Sequence, residues 1–285
     1  MKKKRDITVI RPVKMGKGDN IPIKGSELIS DLYARIFLSA PSNSGKTTVI
    51  NHIVKNTIDD RTTVVIFSST IDIDPIYVKI QEYLRKKKIP LVKFNSIVQN
   101  VDGVDINMLD GFLEEIEDKE NTQVDEDEKD EVKEDVKKPI LILTNEVKQE
   151  IEQPMEKKKK RKKVYHDRVP EYLFILDDLS KESLRSPSIV NFIKKSRHHR
   201  IRALISSQSI IHLSPDAFSQ LTDIYIWARF SRDYLDKIHN KLNTNLTSGE
   251  FWALYLATTE KKYCFMNINT ISGTIRQSFG PAIKY

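Results

Sequence analysis

Ala40-Pro41-Ser42-Asn43-Ser44-Gly45-Lys46-Thr47 is the stretch of this sequence that decides its fold. It agrees with the phosphate-binding pattern G-x-x-x-x-G-K-[ST] except at the first position, where Ala40 replaces glycine. A short apolar run, Arg35 to Leu38, precedes it, and a helical pattern from Lys46 to Lys55 follows. In that context the loop can wrap backbone N–H groups around phosphate oxygens at a helix N-terminus. The sequence therefore predicts a P-loop nucleotide site, against the alternative of a coincidental serine-rich turn.

Three residues of the loop have separate predicted tasks. Gly45 allows the backbone to approach the phosphates, Lys46 reaches the β- and γ-phosphates, and the Thr47 hydroxyl binds Mg²⁺. We expect ATP and Mg²⁺ as the ligands. The predicted nucleotide-binding residues are Pro41, Ser42, Asn43, Ser44, Gly45, Lys46, Thr47 and Thr48.

Strand-like and helix-like segments alternate along the rest of the chain. β-branched and apolar runs of four to six residues recur between helical patterns, for example at Thr63 to Phe67 and Leu91 to Phe94. Such continuous apolar runs are typical of parallel strands that are buried on both faces. The predicted fold class is α/β, with a mostly parallel central sheet and helices on both faces. We also predict a helix from Ser186-Pro187 to about His199 and a last strand from Tyr263 to Asn269.

Two adjacent carboxylates, Asp177 and Asp178, follow the strongest strand pattern, Tyr172 to Leu176. In a parallel sheet they would lie at the carboxyl ends of the strands, where open α/β folds bind their ligands. Asp177 is predicted to hold Mg²⁺ directly or through water, and Asp178 to polarise the attacking water, a role that glutamate more often fills. The alternative is that the pair caps the next helix.

Gln208 follows the next predicted strand, Ala203 to Ser207. Its amide can contact the γ-phosphate or the lytic water and report hydrolysis to another part of the molecule. The alternative is an ordinary surface turn residue.

A basic cluster, Lys194-Lys195-Ser196-Arg197-His198-His199-Arg200, precedes that strand. An arginine here can reach a neighbouring subunit's γ-phosphate and stabilise the charge of the transition state. Cations at a helix C-terminus also stabilise the helix dipole, so both interpretations stay open. The two histidines are not predicted metal ligands, because no cysteine or carboxylate partners have matching spacing.

Composition excludes several classes of protein. The 285 residues contain one cysteine, Cys264, which rules out an internal disulfide and a cysteine-based zinc cluster. No apolar run is long enough to span a membrane, and the basic start, Met1 to Arg5, lacks the apolar stretch of a signal peptide. We therefore expect an intracellular protein without a membrane partner.

The segment from 114 to 163 is predicted to be a charged, mobile insertion in a single domain that spans residues 1–285. Glu114 to Asp135 carries thirteen acidic and three basic residues, and Lys157 to Lys163 is an unbroken run of seven basic residues. Such composition buries too little apolar surface to offset the entropy of ordering. The chain as a whole carries +7, so the residues outside these two runs carry +10. That excess suits a polyanion such as nucleic acid.

With these residues identified, the chain resembles the poxvirus-type genome-packaging ATPases. That family occurs in nucleocytoplasmic large DNA viruses, virophages and polinton-like elements, within the FtsK–HerA superfamily. The resemblance rests on Ser39 to Thr48, on Phe174 to Leu179, and on Ser196 to Ile201 leading into Leu204 to Ser209. It covers about Ala34 to Arg229, and the Arg-His run before a strand that ends in Ser-Gln makes it specific.

The resemblance implies a RecA/ASCE-like P-loop fold and an ATP-hydrolysing motor. Such motors form homo-oligomeric rings that drive double-stranded DNA into a preformed capsid, at an assembly site in the host cytoplasm or nucleus or on the virion. A capsid or portal-vertex protein is a further expected partner. The implied roles are nucleotide and magnesium binding by Lys46 and Thr47, metal and water binding by Asp177 and Asp178, a polar sensor at Gln208, and an arginine finger at Arg197 or, second, Arg200.

Two other functions compete with packaging. One is an FtsK- or HerA-like translocase or helicase that acts in replication or segregation, although such enzymes usually carry additional DNA-guiding domains. The other is a non-hydrolysing structural protein with a vestigial nucleotide site, against which the intact Lys46, Thr47, Asp177 and Asp178 argue. Ala40, Asp178 in place of glutamate and the insertion depart from the family pattern, but none removes a chemically necessary group.

Overall fold

The computed structural model describes residues 21–29, 31–127, 167–242 and 244–285. The strands in these ranges are β1 (Arg35–Ser39), β2 (Thr63–Phe67), β3 (Leu91–Phe94), β4 (Val98–Val101), β5 (Val104–Asn107), β6 (Tyr172–Leu176), β7 (Ile201–Ser207), β8 (Asp223–Trp227), β9 (Phe265–Asn269) and β10 (Ile275–Gln277). The helices are α1 (Lys46–Thr57), α2 (Pro75–Lys87), α3 (Met108–Asp127), α4 (Lys181–Arg185), α5 (Pro187–Lys195), α6 (Pro215–Phe218), α7 (Arg232–His239) and α8 (Ser248–Thr259), with a 3-10 turn at Ile210–His212.

Eight of the strands form one sheet in the order β10-β9-β8-β1-β7-β6-β2-β3. The six strands from β8 to β3 are parallel, and β9 and β10 extend the sheet by antiparallel pairing. This arrangement confirms the predicted α/β fold of the P-loop type. The central strands are buried along their whole length because helices cover both faces of the sheet.

The order of the strands brings the predicted motifs together. β7 lies between β1, which leads into the phosphate loop, and β6, which is followed by Asp177. Because the three strands are parallel, their last residues share one side of the sheet, which we call the carboxyl edge. Their first residues share the opposite side, the amino edge.

Two hydrophobic cores hold the helices against the sheet, and side chains alternate between them along each strand. On one face, α1 and α2 pack against residues such as Ile36 and Ile175. On the other face, α3, α5, α7 and α8 pack against residues such as Phe37 and Phe174. The helices thereby fix the direction in which each strand presents its last residues.

The first boundary that differs from the prediction is the start of the insertion. Residues 114–127 continue helix α3, and Ile116 is buried in the same core as Leu109 and Leu113. These three apolar residues recur at helical spacing, so the packing pattern extends past Glu114 despite the surrounding acidic residues. Residues 128–163, the rest of the predicted insertion, lie outside the described residues.

Two other boundaries were wrong by a few residues. Helix α5 ends at Lys195 rather than His199, because residues 196–200 form a tight turn in which Arg200 has a φ of 57°. Strand β9 begins at Phe265 rather than Tyr263, because Tyr263 has a φ of 69°, which a strand does not allow. Among the described helices, none is long and apolar enough to cross a membrane.

We predict that Ile116→Ala lowers the free energy of unfolding by about 2–4 kcal/mol, because it removes buried methyl groups and leaves a cavity. Glu115→Ala, at an exposed position of the same helix, is the matched control and should change stability little. Urea unfolding followed by circular dichroism measures both. Equal stability of the two variants would show that Ile116 does not pack in the core, as the predicted insertion from residue 114 requires.

Candidate functional site

The phosphate loop joins β1 to α1 at the carboxyl edge. Asn43 and Gly45 have φ values of 61° and 89°, in the left-handed region that asparagine and glycine adopt most readily. Ala40 has a negative φ and is buried in the core below the loop. The first position of the pattern therefore does not require glycine here, which explains how Ala40 is tolerated.

The first turn of α1 is suited to an anion. Gly45 is its N-cap and supplies no side-chain hydrogen bond, and no acidic residue lies in the first turn. The backbone N–H groups at this end therefore keep their positive partial charge available. Within the described residues, the buried hydroxyl of Ser44 also has no hydrogen-bond partner. A phosphate oxygen is the kind of acceptor that these donors lack.

Asp177 joins residues from two other elements of the site, and we call this meeting point the junction. Its carboxylate accepts a hydrogen bond from the Ser206 hydroxyl of β7, and Lys46 Nζ of α1 lies 3.1 Å from its Oδ1. Only 5% of the Asp177 side chain is exposed, against 14% for Lys46. The structure thus brings the predicted phosphate-binding lysine and the predicted metal-binding aspartate into contact.

Asp178 faces solvent beside this buried pair. Its side chain is 58% exposed, and its Oδ1 lies 3.5 Å from Lys46 Nζ. Its backbone N–H donates to Ser206 Oγ at 3.0 Å, and its φ is 55°. Ser180, not either aspartate, caps the following helix α4 by accepting from Ser183 N. The capping alternative therefore fails, and Asp178 is left with a carboxylate that water can reach.

Gln208 lies at the carboxyl edge, one residue beyond β7 and between the phosphate loop and the two aspartates. Its side chain is exposed, so it is available to a ligand. The segment after it is tied to the loop strand by Tyr234, whose hydroxyl accepts from Ile210 N at 2.9 Å and lies 2.9 Å from Ser39 Oγ. Burial raises the pKa of the Tyr234 phenol, so it stays neutral at physiological pH.

Oxygen ligands at this junction fit Mg²⁺. Carboxylate and hydroxyl oxygens are its usual protein ligands, completed by waters and substrate phosphates rather than by an all-protein cage. Asp177 supplies the carboxylate, and Thr47 follows Lys46 in the first turn of α1, half-buried. Among the described residues, no cluster of three or more His, Cys, Asp or Glu side chains that could hold a metal ion occurs.

Tyr77 of α2 adds a buried neutral group beside Asp177. Its side chain is fully buried. Burial, and secondarily the negative charge of Asp177, raise the pKa of the Tyr77 phenol well above its usual value. Because the Asp177 side chain is itself buried, its electrostatic attraction to any cation that it meets is stronger than it would be in water.

The basic cluster lies at the other edge of the sheet. Residues 196–200 join α5 to the start of β7, and the seven residues of β7 separate them from Gln208 by roughly 20 Å. Arg197 is exposed, whereas Arg200 pairs with Glu171 at 3.2 Å. His199 lies 3.3 Å from Glu117 of α3. Arg197 therefore cannot contact the phosphate loop of its own chain.

A cleft of about 420 Å³ adjoins Asp178 on the side of β2 and β3. Hydroxyl and amide side chains make up much of its lining, including Ser68, Asn95, Asn107 and Ser183. The cleft opens beside the exposed Asp178 carboxylate, so water reaches that carboxylate from this side.

Sequence reasoning missed Ser206, Tyr77 and Tyr234. Serine and tyrosine occur widely in cores and turns, and their contacts with the site depend on strands and helices that are distant in sequence. The sequence signals for Ser206 were its position near the end of β7, one strand away from Asp177, and its place in the stretch from Leu204 to Ser209 that carries the resemblance.

Residues 132–249 match the family model described as "Poxvirus A32 protein". The match confirms the predicted resemblance. It contains Asp177, Asp178, Arg197 and Gln208 but not the phosphate loop. The matched segment and the phosphate loop are therefore separate parts of the chain, and the fold brings Asp177, Asp178 and Gln208 of the segment to the same edge as the loop.

Several solved structures have similar overall shapes at low sequence identity. The genome packaging NTPase B204 from Sulfolobus turreted icosahedral virus 2, in complex with AMPPCP, is 15% identical with a TM-score of 0.48, over 87% of this chain and 97% of that chain. The same NTPase with ATP-gammaS gives 14% and 0.47, over 89% and 100%. The cytoplasmic domain of the Thermomonospora curvata type VII secretion ATPase EccC gives 12% and 0.45, over 89% of this chain and 25% of that chain. No curated protein matches the sequence.

We predict that Ser206→Ala preserves nucleotide affinity within a few-fold and lowers ATP turnover about tenfold. The loop amides and Lys46 remain, but Asp177 loses its buried hydrogen bond, and a bond to a charged group contributes about 1.5–3 kcal/mol. Steady-state hydrolysis and nucleotide titration measure the two effects. Ser219→Ala, an exposed serine at the amino edge, is the control. Unchanged turnover in Ser206→Ala would show that Lys46 alone positions Asp177.

Proposed function

We propose that this chain is an ATPase that packages double-stranded viral DNA into a preformed capsid. The observation that carries the proposal is the contact of Lys46 with Asp177, beside an exposed Asp178. These are the groups that phosphoryl transfer to water requires, namely a phosphate-binding cation, a metal ligand and an acceptor for the water proton. The family match to residues 132–249 supports the choice of packaging among P-loop functions.

Binding of ATP is assigned to the loop and the first turn of α1. The amides near Gly45 and the Lys46 ammonium take the phosphate oxygens, and the Ser44 hydroxyl gains an acceptor. Asp177 and Thr47 would hold Mg²⁺, which supplies charge neutralisation of the phosphates when it is bound. Pro41, Ser42, Asn43 and Thr48 complete the proposed contact set.

Hydrolysis is assigned to Asp178 and Gln208. The Asp178 carboxylate is exposed, so it can accept a hydrogen bond from water while Asp177 stays buried and paired with Lys46. Gln208 faces the same edge from the neighbouring strand and can orient the water or contact the γ-phosphate. The division of labour follows from the different exposure of the two adjacent carboxylates.

The polyanionic partner is proposed to be double-stranded DNA, held through its phosphates. Helix α2 ends in a run of exposed cations, Arg85 to Lys88, at the amino edge, where Arg197 is exposed as well. Contacts between such cations and phosphates bind DNA with little sequence preference and weaken steeply with added salt. The expected assembly is a homo-oligomeric ring at the capsid, with a capsid or portal-vertex protein as a further partner at the site of virus assembly.

The decisive experiment measures ATP hydrolysis with and without double-stranded DNA. The parent should hydrolyse ATP faster with DNA. Lys46→Ala should lose both binding and turnover because a phosphate loses its charge partner, whereas Asp178→Asn should bind ATP and lose turnover. Lys55→Ala, an exposed lysine later in α1, is the matched control and should behave as the parent. ATP binding without any hydrolysis in the parent would favour a vestigial nucleotide site, and hydrolysis indifferent to DNA would argue against a DNA motor.

Arg197 is proposed as the arginine supplied to the neighbouring subunit. Arg197 lies at the amino edge, whereas the phosphate loop of its own chain lies at the carboxyl edge. It can therefore stabilise transition-state charge only at the nucleotide site of another subunit. Arg197→Ala should reduce turnover by ~10³-fold, the usual contribution of an arginine finger. Mixing Arg197→Ala with Lys46→Ala should restore part of the activity, because some interfaces then combine an intact Lys46 with an intact Arg197.

Arg200→Ala is run in parallel, since Arg200 is the second choice and already pairs with Glu171. If Arg197→Ala keeps normal turnover without DNA but loses DNA binding, Arg197 contacts DNA phosphates at the amino edge instead. If Arg197→Ala is inactive and mixing restores nothing, the arginine supports the fold of its own subunit.

A further inference from the structure

Tyr263 lies against the phosphate loop from the side opposite the two aspartates. A Cβ placed on Gly45 would come within 3.2 Å of Tyr263 Cδ1. Tyr263 precedes β9, whose Phe265 pairs with Trp227 at the carboxyl end of β8. The aromatic ring therefore touches the loop at the glycine where α1 begins.

The Tyr263 ring is exposed although it is held in a specific place. It is 58% exposed, and its backbone φ of 69° is uncommon for an aromatic residue. Lys262 Nζ lies 4.8 Å from the ring centroid, within the range of a cation–π interaction. Tyr263 belongs to neither hydrophobic core, so packing of the cores does not explain why an aromatic residue occupies this position.

The order of the strands indicates in which direction a nucleotide would lie along the carboxyl edge. Asp177 and Asp178 follow β6, on one side of the loop, and Tyr263 precedes β9, on the other side. The proposed hydrolysis places the γ-phosphate near Asp178, so the nucleoside end of the same ligand extends away from β6. On that side Tyr263 offers an exposed aromatic ring beside the loop.

We propose that Tyr263 is the stacking surface for the nucleobase, with Lys262 on the same ring supplying positive charge beside the phosphates. This inference rests on the proposed function and identifies how the site binds the base of its substrate. A ring face stacks on any base, so Tyr263 contributes affinity for nucleotides over inorganic phosphates rather than choice among bases. Glycine at position 45 then allows two things, namely the positive φ of the loop and the close approach of the Tyr263 ring.

The test compares two ligands that share their phosphates but differ in the base. Calorimetric titration is carried out with Mg²⁺ and either an ATP analogue with a non-hydrolysable β–γ bridge or inorganic tripolyphosphate. Tyr263→Ala should weaken binding of the ATP analogue about tenfold or more, as expected for the loss of one base–aromatic stack, and leave tripolyphosphate binding unchanged. Tyr263→Phe should bind both ligands as the parent does.

Tyr285→Ala is the matched control, because Tyr285 is also an exposed tyrosine, 61% against 58%, whose hydroxyl bonds Gly273 in the turn between β9 and β10 at the amino edge. Equal analogue affinity in Tyr263→Ala and the parent would overturn the assignment. Equal loss of both ligands would also overturn it, since Tyr263 would then only shape the phosphate loop. A parent that binds neither ligand would remove the proposed function itself, a result distinct from the previous two.

Discussion

The rest of the site depends on the contacts that the buried Asp177 carboxylate makes. It lies at the end of β6, accepts a hydrogen bond from Ser206 of β7, and pairs with Lys46 of α1. A carboxylate that is almost fully buried is costly unless cations and donors surround it. The fold meets that requirement with residues from three separate elements, so their relative positions are fixed by the same contact that the proposed chemistry uses.

Helix α1 is held at both ends, which fixes the position of Lys46. Its N-terminus follows the phosphate loop, and at its C-terminus the carbonyl of Thr57 accepts from Arg202 Nη1 at 3.3 Å. Arg202 is buried in β7 and also donates to the carbonyl of Leu32, and burial lowers its pKa to about 10, so it remains charged at neutral pH. Strand β7 thus contacts the loop helix at its C-terminus through Arg202 and the proposed metal ligand, Asp177, through Ser206.

The sequence predicted the elements that carry local signals and missed those that depend on tertiary context. Runs such as Thr63 to Phe67 and Tyr172 to Leu176 matched the observed strands because both faces are buried and the apolar pattern is continuous. The β4–β5 hairpin was missed because its strands are polar and exposed, although Asp102-Gly103 is a good hairpin turn. Helix α3 was hidden by its charge, since acidic residues surround the apolar residues of its buried face, such as Leu109, Leu113 and Ile116. Tyr263 was assigned to a strand because aromatic residues favour strands, and nothing in the sequence indicates its positive φ.

The separation of the two edges constrains how a motor built on this chain must work. The proposed hydrolysis takes place at the carboxyl edge, whereas Arg197 and the cations that end α2 lie at the amino edge, roughly 20 Å away. Strand β7 connects them directly, and all seven of its residues are buried in the close-packed interior, as expected for a rigid element. Its last residue precedes Gln208, and its first follows the turn that holds Arg197. If Gln208 shifts on loss of the γ-phosphate, β7 offers a direct route by which that shift would reach Arg197, the arginine proposed to serve the neighbouring subunit of the proposed ring.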